Sequence, residues 1–364
     1  MDSILEIDLD GIIDCIKEYK RRLSKKQKFC AVVKADCYGL GSRKICKAID
    51  LYVDYFAVAS RGEFFYIRKF VTKPILLLDP IYKNITILAK KGCEFCVSNL
   101  FQLKQIERFA KRNKDIIYKI HIAINTGMNR FGFLGFCELD NLLNIIQKTQ
   151  NIKICGVFSH FYCGNNKILS KNQIFKLERI KKFLSSKIDI SNIIFHISNT
   201  SGFENCRGFD MVRIGLGMFL KHNKQNISLK SKIVELQNLK PNQTAGYGLG
   251  FVAKSQTKIA VVSIGYADGI FRSISGKGYV LVNGEFAKIL SVCMDSIIID
   301  VTGMDVKLCD TVTIFGTNGT NQIFVCDIAS WCDTIEYEII ARLSKRIKRV
   351  YIGGNINANN NREI

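Results

Sequence analysis

The residue with the clearest chemical potential is Lys34, which ends the apolar run CAVVK and precedes the turn-like segment ADCYGLG. An ammonium group within an apolar strand is costly unless it is paired or used. One interpretation is a lysine whose stem lies along apolar surface while its amine reaches water or an acidic partner. The other is a lysine whose desolvated amine has a lowered pKa and can attack an aldehyde. The segment alone leaves both interpretations open.

The segment VVKADCYGLG resembles the pyridoxal-phosphate attachment motif of the alanine racemase family. Further segments match the same family in the same order along nearly the whole chain. They are INTGMNRFGF (124–133), FSHF (158–161), HISNTS (196–201), FDMVRIGLGMF (209–219), YGLGF (247–251), IGYADG (264–269), CMD (293–295) and TIEYE (334–338). This ordered agreement is far more specific than a single motif. The resemblance implies an amino-acid racemase in which Lys34 carries pyridoxal 5'-phosphate (PLP).

The resemblance also assigns residues to the cofactor. Hydroxyl and backbone N–H groups suit a phosphate. The residues implied to supply them are Tyr38, Thr200, Gly215, Leu216 and Tyr337. His160 and Asn199 match positions close to the cofactor ring, although a buried histidine is as readily structural. Arg213 matches an arginine that faces the pyridine nitrogen, where its permanent charge disfavours protonation of that nitrogen.

Racemisation requires an acid/base group on each face of the α-carbon. The resemblance implies Lys34 for one face and Tyr266 for the other, and in the family this tyrosine comes from the partner subunit. Arg130 matches a residue near the substrate carboxylate, and Met294 matches one that meets the carboxylate from the other subunit. We therefore expect a homodimer with shared active sites. Without the resemblance, IGYADG would be interpreted as a plain turn between strands.

One position departs from the family pattern. Many members carry a carbamylated lysine seven residues before the arginine that corresponds to Arg130, and its negative charge holds that arginine. Here the position is Ala123, and Asn125 stands where an aspartate is usual. A buried guanidinium without its anion carries a desolvation cost, so we predict a chloride or similar anion between Arg130 and the Asn125 amide. An alanine in place of the carbamylated lysine, with an asparagine nearby, is also similar to what broad-specificity racemases show.

The elements that position these residues follow from the apolar pattern. Before about residue 222, eight short apolar strands alternate with amphipathic helical segments. This predicts a parallel (β/α)8 (TIM) barrel with its chemistry at the carboxyl ends of the strands. A doubly wound sheet competes, but no glycine-rich dinucleotide motif follows the first strand. Close-set apolar runs after residue 222 predict a β-rich domain.

The predicted domains are therefore a PLP-binding barrel over residues 1–222 and a C-terminal β-rich domain over residues 223–364. The first few residues are free to pack with the second domain, which is expected to contribute Tyr266 to the partner subunit's active site.

Composition restricts the other classes of function. The net charge of +21 is diffuse and no nucleic-acid motif accompanies it, so we expect no nucleic-acid partner. The first residues, MDSILEIDLDG, contain acidic groups and no long apolar run, which predicts a cytoplasmic protein without an export signal or membrane anchor. Most of the fourteen cysteines are expected to be buried apolar residues. The Cys93–Cys96 pair is expected in a strand, with redox or metal chemistry the less favoured interpretation.

The function implied is interconversion of L-alanine and D-alanine, supplying D-alanine for peptidoglycan. A broad-specificity amino-acid racemase is the main alternative, favoured by Ala123 and Asn125. A non-catalytic PLP barrel would need neither the β-rich domain nor Tyr266. A PLP decarboxylase of similar two-domain design would lack the second base.

Overall fold

The computed structural model describes residues 3–205, 208–221, 224–248 and 250–354, which divide into two compact units. The barrel unit consists of Ile13–Cys37 and Ser42–Met218. The sheet unit consists of Met1–Ile12, Tyr38–Gly41 and Phe219–Ile364. The predicted domain boundary between residues 222 and 223 and the leucine of the YGLGF segment lie outside the described residues.

Strand β1 (Ile4–Asp8) and helix α1 (Leu9–Arg21) come first, and eight parallel strands then build the barrel unit. These strands are β2 (Lys28–Val32), β3 (Tyr55–Val58), β4 (Ile75–Leu77), β5 (Cys93–Val97), β6 (Tyr118–Ala123), β7 (Ile152–Phe158), β8 (Ile194–His196) and β9 (Met211–Ile214). They pair in the order β8-β7-β6-β5-β4-β3-β2-β9. Each coincides with a predicted strand, and the predicted barrel class is confirmed. The backbone N–H of Asp210 donates to the Phe195 carbonyl over 2.8 Å, which joins β9 to β8.

Helices follow most of the barrel strands and pack their apolar faces inward. They are α2 (Ser42–Ile49), α3 (Arg61–Ile67), α4 (Ile85–Lys90), α5 (Leu100–Arg112), α6 (Phe136–Gln147) and α7 (Lys167–Ser185). In α1, Cys15, Ile16 and Tyr19 are buried, and in α2 Ile45 and Ile49 are buried. Burial of such faces against the strands supplies the main driving force for this arrangement.

The sheet unit is built around a mostly antiparallel sheet. Its strands after β9 are β10 (Leu220–Lys221), β11 (Lys224–Gln225), β12 (Ile227–Leu239), β13 (Thr244–Ala245), β14 (Phe251–Val252), β15 (Thr257–Val262), β16 (Tyr279–Val282), β17 (Glu285–Val292), β18 (Ile297–Asp300), β19 (Thr311–Asn318), β20 (Asn321–Ile323) and β21 (Lys348–Ile352). Helices α8 (Val325–Trp331) and α9 (Glu336–Ala341) precede β21. The main order is β20-β19-β16-β17-β18-β15-β12-β1-β21. The predicted β-rich region is confirmed.

Strand β1 lies inside this sheet, antiparallel to β12 and parallel to β21. Its Leu5 and Ile7 are fully buried, whereas Ile4 and Glu6, which alternate with them, are only partly buried. This alternation is that of a strand with one face in a core. The first strand of the chain is therefore part of the sheet unit.

Two expectations concern features away from the predicted site. Cys93 and Cys96 lie in β5, and both are buried. Among the described segments we find no helix with the length and hydrophobicity needed to cross a bilayer.

Candidate active site

Lys34 lies directly after β2, at the carboxyl end of the barrel strands, and is partly buried. The residues that follow it, Ala35 to Tyr38, all have φ between 51° and 58°. Such a left-handed turn is unfavourable for residues with a Cβ and needs support from its surroundings. Glu63 on α3 provides part of it, because its carboxylate accepts from the N–H groups of Ala35 (2.9 Å) and Ala59 (2.8 Å). This links the ends of β2 and β3 beside Lys34.

A second feature of the barrel unit is the turn between β9 and the 3₁₀ helix Leu216–Met218. The Thr200 hydroxyl accepts from the N–H groups of Gly215 (3.2 Å) and Gly217 (3.4 Å). A Cβ at Gly217 would lie 2.7 Å from Cγ2 of Thr200, so this close approach needs glycine. Hydroxyl and backbone donors at the start of a helical turn suit a phosphate group. The structure thus brings together Thr200, Gly215 and Leu216 from the predicted set.

Arg213 on β9 is 3% exposed and lies among acceptors supplied by β7, β8 and the residues that follow them. Its guanidinium contacts Nδ1 of His196 (2.6 Å), the carbonyl oxygen of Ser159 (2.7 Å) and Nδ1 of His160 (3.2 Å). The carbonyl and the two rings can all accept while neutral. Arg213 is therefore held in a fixed orientation by its donors, as expected for a side chain that must keep its charge in place.

The bond to His196 is the start of a buried chain. Nε2 of His196 lies 3.0 Å from Nδ1 of His121, and Nε2 of His121 lies 2.9 Å from the Glu94 carboxylate. Arg213 can only donate, so Nδ1 of His196 accepts and its Nε2 carries the hydrogen. Nδ1 of His121 then accepts, and its Nε2–H donates to Glu94. Hydrogen positions inferred in this way give each ring a single neutral tautomer.

Electrostatics agree with this pattern. Burial, and then the charge of Arg213, lowers the pKa of His196 well below its usual range. Burial opposes ionisation of Glu94, but the hydrogen bond from His121 and the charge of Lys119 leave the pKa of this carboxyl lowered. Glu94 is therefore an anion and His196 is neutral at physiological pH.

Three cations lie around His160, which directly follows Ser159 at the end of β7. Burial first, and then the charges of Arg213, Arg130 and Lys34, lower the pKa of His160 to about 3. The ring is therefore neutral at physiological pH and cannot supply a proton there. Arg213 contacts this ring directly, and the charges of Arg130 and Lys34 also act on it, so the carboxyl end of the barrel attracts anions.

Asn199, also in the predicted set, is engaged with nearby loops. Its Oδ1 accepts from the N–H of Gly202 (2.8 Å) and from the Ser201 hydroxyl (3.1 Å), and its Nδ2 donates to the Phe161 carbonyl (3.2 Å). It thus joins the loops after β7 and β8.

Arg130 lies in the loop after β6 and is exposed. Its guanidinium carbon lies 4.6 Å from the ring centre of Phe131. Asn125 serves its own turn, since its Oδ1 accepts from the N–H groups of Gly127 (3.0 Å) and Asn129 (3.1 Å), and its Nδ2 donates to Oδ1 of Asn129 (3.1 Å). Ala123, where a carbamylated lysine was expected from the family pattern, is 2% exposed at the end of β6.

The sheet unit brings together Tyr266 and Met294. The N–H groups of Tyr266 and Ala267 donate to the carbonyls of Cys293 and Met294, each over 2.9 Å. A Cβ at Gly265 would lie 2.5 Å from the Cys293 carbonyl oxygen, so glycine is needed for the two loops to approach. The side chains of Tyr266 and Met294 remain 41% and 51% exposed.

Arg346 fixes this loop pair from one side, with Nη1 2.8 Å from the Asp295 carboxylate and Nε 3.5 Å from that of Asp268. In the same unit the rings of Tyr38 and Tyr337 lie 5.7 Å apart at 67°. The predicted residues of the sheet unit therefore form two local groups, one around Tyr266 and one around Tyr38.

Sequence reasoning missed the residues behind the site, namely Glu63, Glu94, His121 and His196. A usable signal existed for the two histidines, because both fall within apolar strand segments where an unpaired polar side chain would be costly. Their partners could not be found without the strand pairing that places Glu94 beside Lys119 and Cys96 beside His121.

The barrel, with a lysine at the end of its first strand and a phosphate-type turn after its last, defines a PLP-dependent enzyme of the barrel class. Thr200, the Gly215–Gly217 turn and the surrounding cations fit an anionic cofactor. Models of the alanine racemase N-terminal and C-terminal domains match residues 7–222 and 226–351. The chain belongs to the alanine racemase family, whose members are PLP-dependent isomerases.

Individual relatives agree. The chain is 32% identical over 371 residues to alanine racemase 2 of Caldanaerobacter subterraneus subsp. tengcongensis, covering 96% of this chain and 94% of the relative. Alanine racemase of Bacillus anthracis with bound L-Ala-P superposes with a TM-score of 0.89 at 26% identity, and the match covers 97% of this chain and 95% of that one. Alanine racemase of Bartonella henselae with covalently bound pyridoxal phosphate superposes with a TM-score of 0.86 at 26% identity, and the match covers 97% of this chain and 100% of that one.

Proposed function

We propose that this racemase interconverts L-alanine and D-alanine, with Lys34 and Tyr266 as the acid/base groups on the two faces of the substrate α-carbon. The observation that carries the proposal is the position of Lys34 at the carboxyl end of the barrel strands, together with the Thr200 hydroxyl and the Gly215–Gly217 turn, whose groups suit the cofactor phosphate. When bound, PLP withdraws electrons from the α-carbon and makes its proton acidic. The protein must then move one proton on each face and hold the carboxylate.

Within the barrel unit, the Lys34 amine binds the cofactor and moves the proton on its own face. The Thr200 hydroxyl and the N–H groups of Gly215 and Leu216 hold the phosphate, and the family resemblance adds the hydroxyls of Tyr38 and Tyr337 as donors. Arg213 keeps a positive charge beside the pyridine nitrogen and so disfavours its protonation. His160, being neutral, packs against the ring, and Asn199 orders the loops beside it.

Tyr266 supplies or removes the proton on the other face, and the Met294 N–H holds the substrate carboxylate together with Arg130. We propose that Tyr266 and Met294 reach the site from the partner subunit of a homodimer. The support is that one loop pairing holds both residues, and both side chains are exposed in the single chain. One loop pairing of the sheet unit would then position both Tyr266 and Met294 in the partner's active site.

Several finer expectations belong to the same proposal. The functional domains are residues 1–222 and 223–364, and the enzyme is cytoplasmic and supplies D-alanine for peptidoglycan. A chloride or similar anion binds Arg130 beside Asn125, at the guanidinium N–H edge and the second hydrogen of the Asn125 amide. A broad-specificity racemase is the alternative, because Ala123 and Asn125 depart from the usual pattern.

The test is incubation of the holoenzyme with L-alanine, and with a panel of other L-amino acids, in deuterated water. We expect α-deuteration and D-product for alanine at the highest rate. Carbon dioxide release without D-product would contradict racemisation, and equal rates across long side chains would favour the broad-specificity alternative. Lys34→Ala should lose the visible absorption of the bound cofactor. Tyr266→Phe should lose about 100-fold or more in rate, and unchanged turnover in that variant would exclude the two-base mechanism.

A further inference from the structure

The place where the family pattern expects a carbamylated lysine is buried and apolar in this chain. Ala123 (2% exposed), Cys96 (0%) and Phe158 (4%) form a small buried cluster at the ends of β5, β6 and β7, and Phe131 packs against it. The methyl side chain of Ala123 cannot carry the negative charge that holds the corresponding arginine in other family members. The group that holds Arg130 must therefore be of another kind.

Two rings of this cluster each face a guanidinium. Arg130 lies 4.6 Å from the ring centre of Phe131, and Arg213 lies 5.4 Å from that of Phe158. Both distances are within the roughly 6 Å over which a cation is attracted to an aromatic face. Phe158 is also stacked on His196 at 5.1 Å with 9° between the planes, so its orientation is fixed.

Cys96 of the same cluster is fully buried, and burial raises the pKa of its thiol. The Asp79 carboxylate raises this pKa further, whereas the charges of Arg130 and Arg213 act in the opposite direction. One patch of small and aromatic side chains therefore lies beneath both arginines of the site. Among the described residues, no hydrogen bond or ion pair joins Arg130 to another side chain, which leaves the Phe131 ring as its observed contact.

We propose that Phe131 is the positioning residue for Arg130, and that its ring replaces the anion that holds the corresponding arginine in other family members. With its central carbon over the Phe131 ring, the Arg130 guanidinium keeps N–H groups available at its edge. Those edge donors can receive a carboxylate by paired hydrogen bonds. A chloride at this edge is an exchangeable ligand that the substrate carboxylate displaces, and the orientation of Arg130 does not depend on it.

This inference rests on the proposed function only for the role of Arg130, so its first test needs no turnover. The probe is propionate, which has the carboxylate of alanine and lacks its amine. We expect Phe131→Leu to weaken propionate binding to the holoenzyme about two- to fivefold, and Phe131→Trp to bind it at least as tightly as the wild type. Phe136→Leu is the matched control, because it removes another arginine–phenylalanine contact of the barrel unit, between Arg179 and Phe136 at 5.6 Å. It should leave propionate binding unchanged.

Kinetics provide the second test. Phe131→Leu should raise KM for alanine by the same two- to fivefold factor with a smaller effect on kcat, and wild-type KM should not rise when chloride is replaced by sulfate. A wild type whose KM rises severalfold without chloride, or a Phe131→Leu variant with unchanged propionate affinity, overturns the inference. If Phe131→Leu does not fold, the inference is still tested by the propionate affinity of Phe131→Trp and by the wild-type KM measured without chloride. A holoenzyme that binds propionate but racemises nothing would contradict the proposed function instead.

Discussion

Nη1 of Arg213 donates to Nδ1 of His196 over 2.6 Å, and this bond fixes the hydrogen positions of a chain that ends at Glu94. An arginine cannot accept and an ionised carboxylate cannot donate. In each hydrogen bond between Arg213 and Glu94, the donor therefore lies on the Arg213 side and the acceptor on the Glu94 side. The orientation of Arg213 is thus set by residues on β5, β6 and β8 as well as by its own strand.

This chain predicts a large effect of His196→Phe on stability. The ring is kept, but Arg213 loses an acceptor and His121 loses a donor, both deep in the barrel. An unpaired buried polar group costs about 1–3 kcal/mol, so we expect a fall of at least that size in the free energy of unfolding, measured in urea. Glu94→Gln keeps an acceptor oxygen for His121 and should cost less. Equal losses in the two variants would contradict the directional chain.

A pH dependence follows from His160. In the unfolded chain a histidine binds a proton near pH 6.5, whereas burial and the nearby cations lower the pKa of His160 in the folded protein to about 3. Between these values the unfolded state binds more protons. Folded stability should therefore fall as pH decreases from 6.5 towards 3, by up to about 1.4 kcal/mol per pH unit for this residue.

The measurement is the free energy of unfolding of cofactor-free protein between pH 7 and 4.5. His160→Asn should give a shallower slope over this range, since it removes the titrating group. A slope identical to that of the wild type would show that His160 is protonated in the folded protein.

Gly265→Ala should disrupt the loop pair that holds Tyr266 and Met294. The added Cβ would lie 2.5 Å from the Cys293 carbonyl oxygen, so the two loops must separate. We expect a loss of about 1–3 kcal/mol in stability and a marked fall in racemisation. Gly62→Ala is the control, because Gly62 lies in α3 with its nearest neighbour 3.9 Å from the added Cβ. That variant should be as stable as the wild type or slightly more so. Normal activity in Gly265→Ala would show that the loop pairing is dispensable.

Thr200→Val should weaken cofactor retention while leaving the shape of the side chain intact. It removes the oxygen that accepts from Gly215 and Gly217 and that is proposed to contact the phosphate. A lost hydrogen bond to a charged group is worth about 1.5–3 kcal/mol, so PLP affinity should fall about tenfold or more. Equilibrium dialysis followed by absorbance of the protein-bound cofactor measures this. Unchanged affinity would remove Thr200 from the phosphate site.

Much of the barrel could be predicted because its strands are short apolar runs bounded by polar or glycine residues, as in IKICGVFS around β7. The left-handed turn from Ala35 to Tyr38 could not be predicted, because most of its residues have no preference for positive φ. The first half of strand β12 alternates buried and partly exposed residues, the latter including Lys230 and Lys232, and the strand lacks the apolar run that marks its neighbours. Glu94 and His121 are 27 residues apart and meet only through strand pairing.

The position of β1 between β12 and β21 has a consequence for the order in which the protein can form during synthesis. Ile4 pairs with Lys230 and Lys348, so β1 is synthesised long before either of its partner strands. All the barrel strands are complete before that sheet can close. Until then, β1 has an apolar face and unpaired backbone groups, a state that favours aggregation or chaperone binding. A C-terminal fragment expressed alone would lack this strand and could be completed only by adding it back.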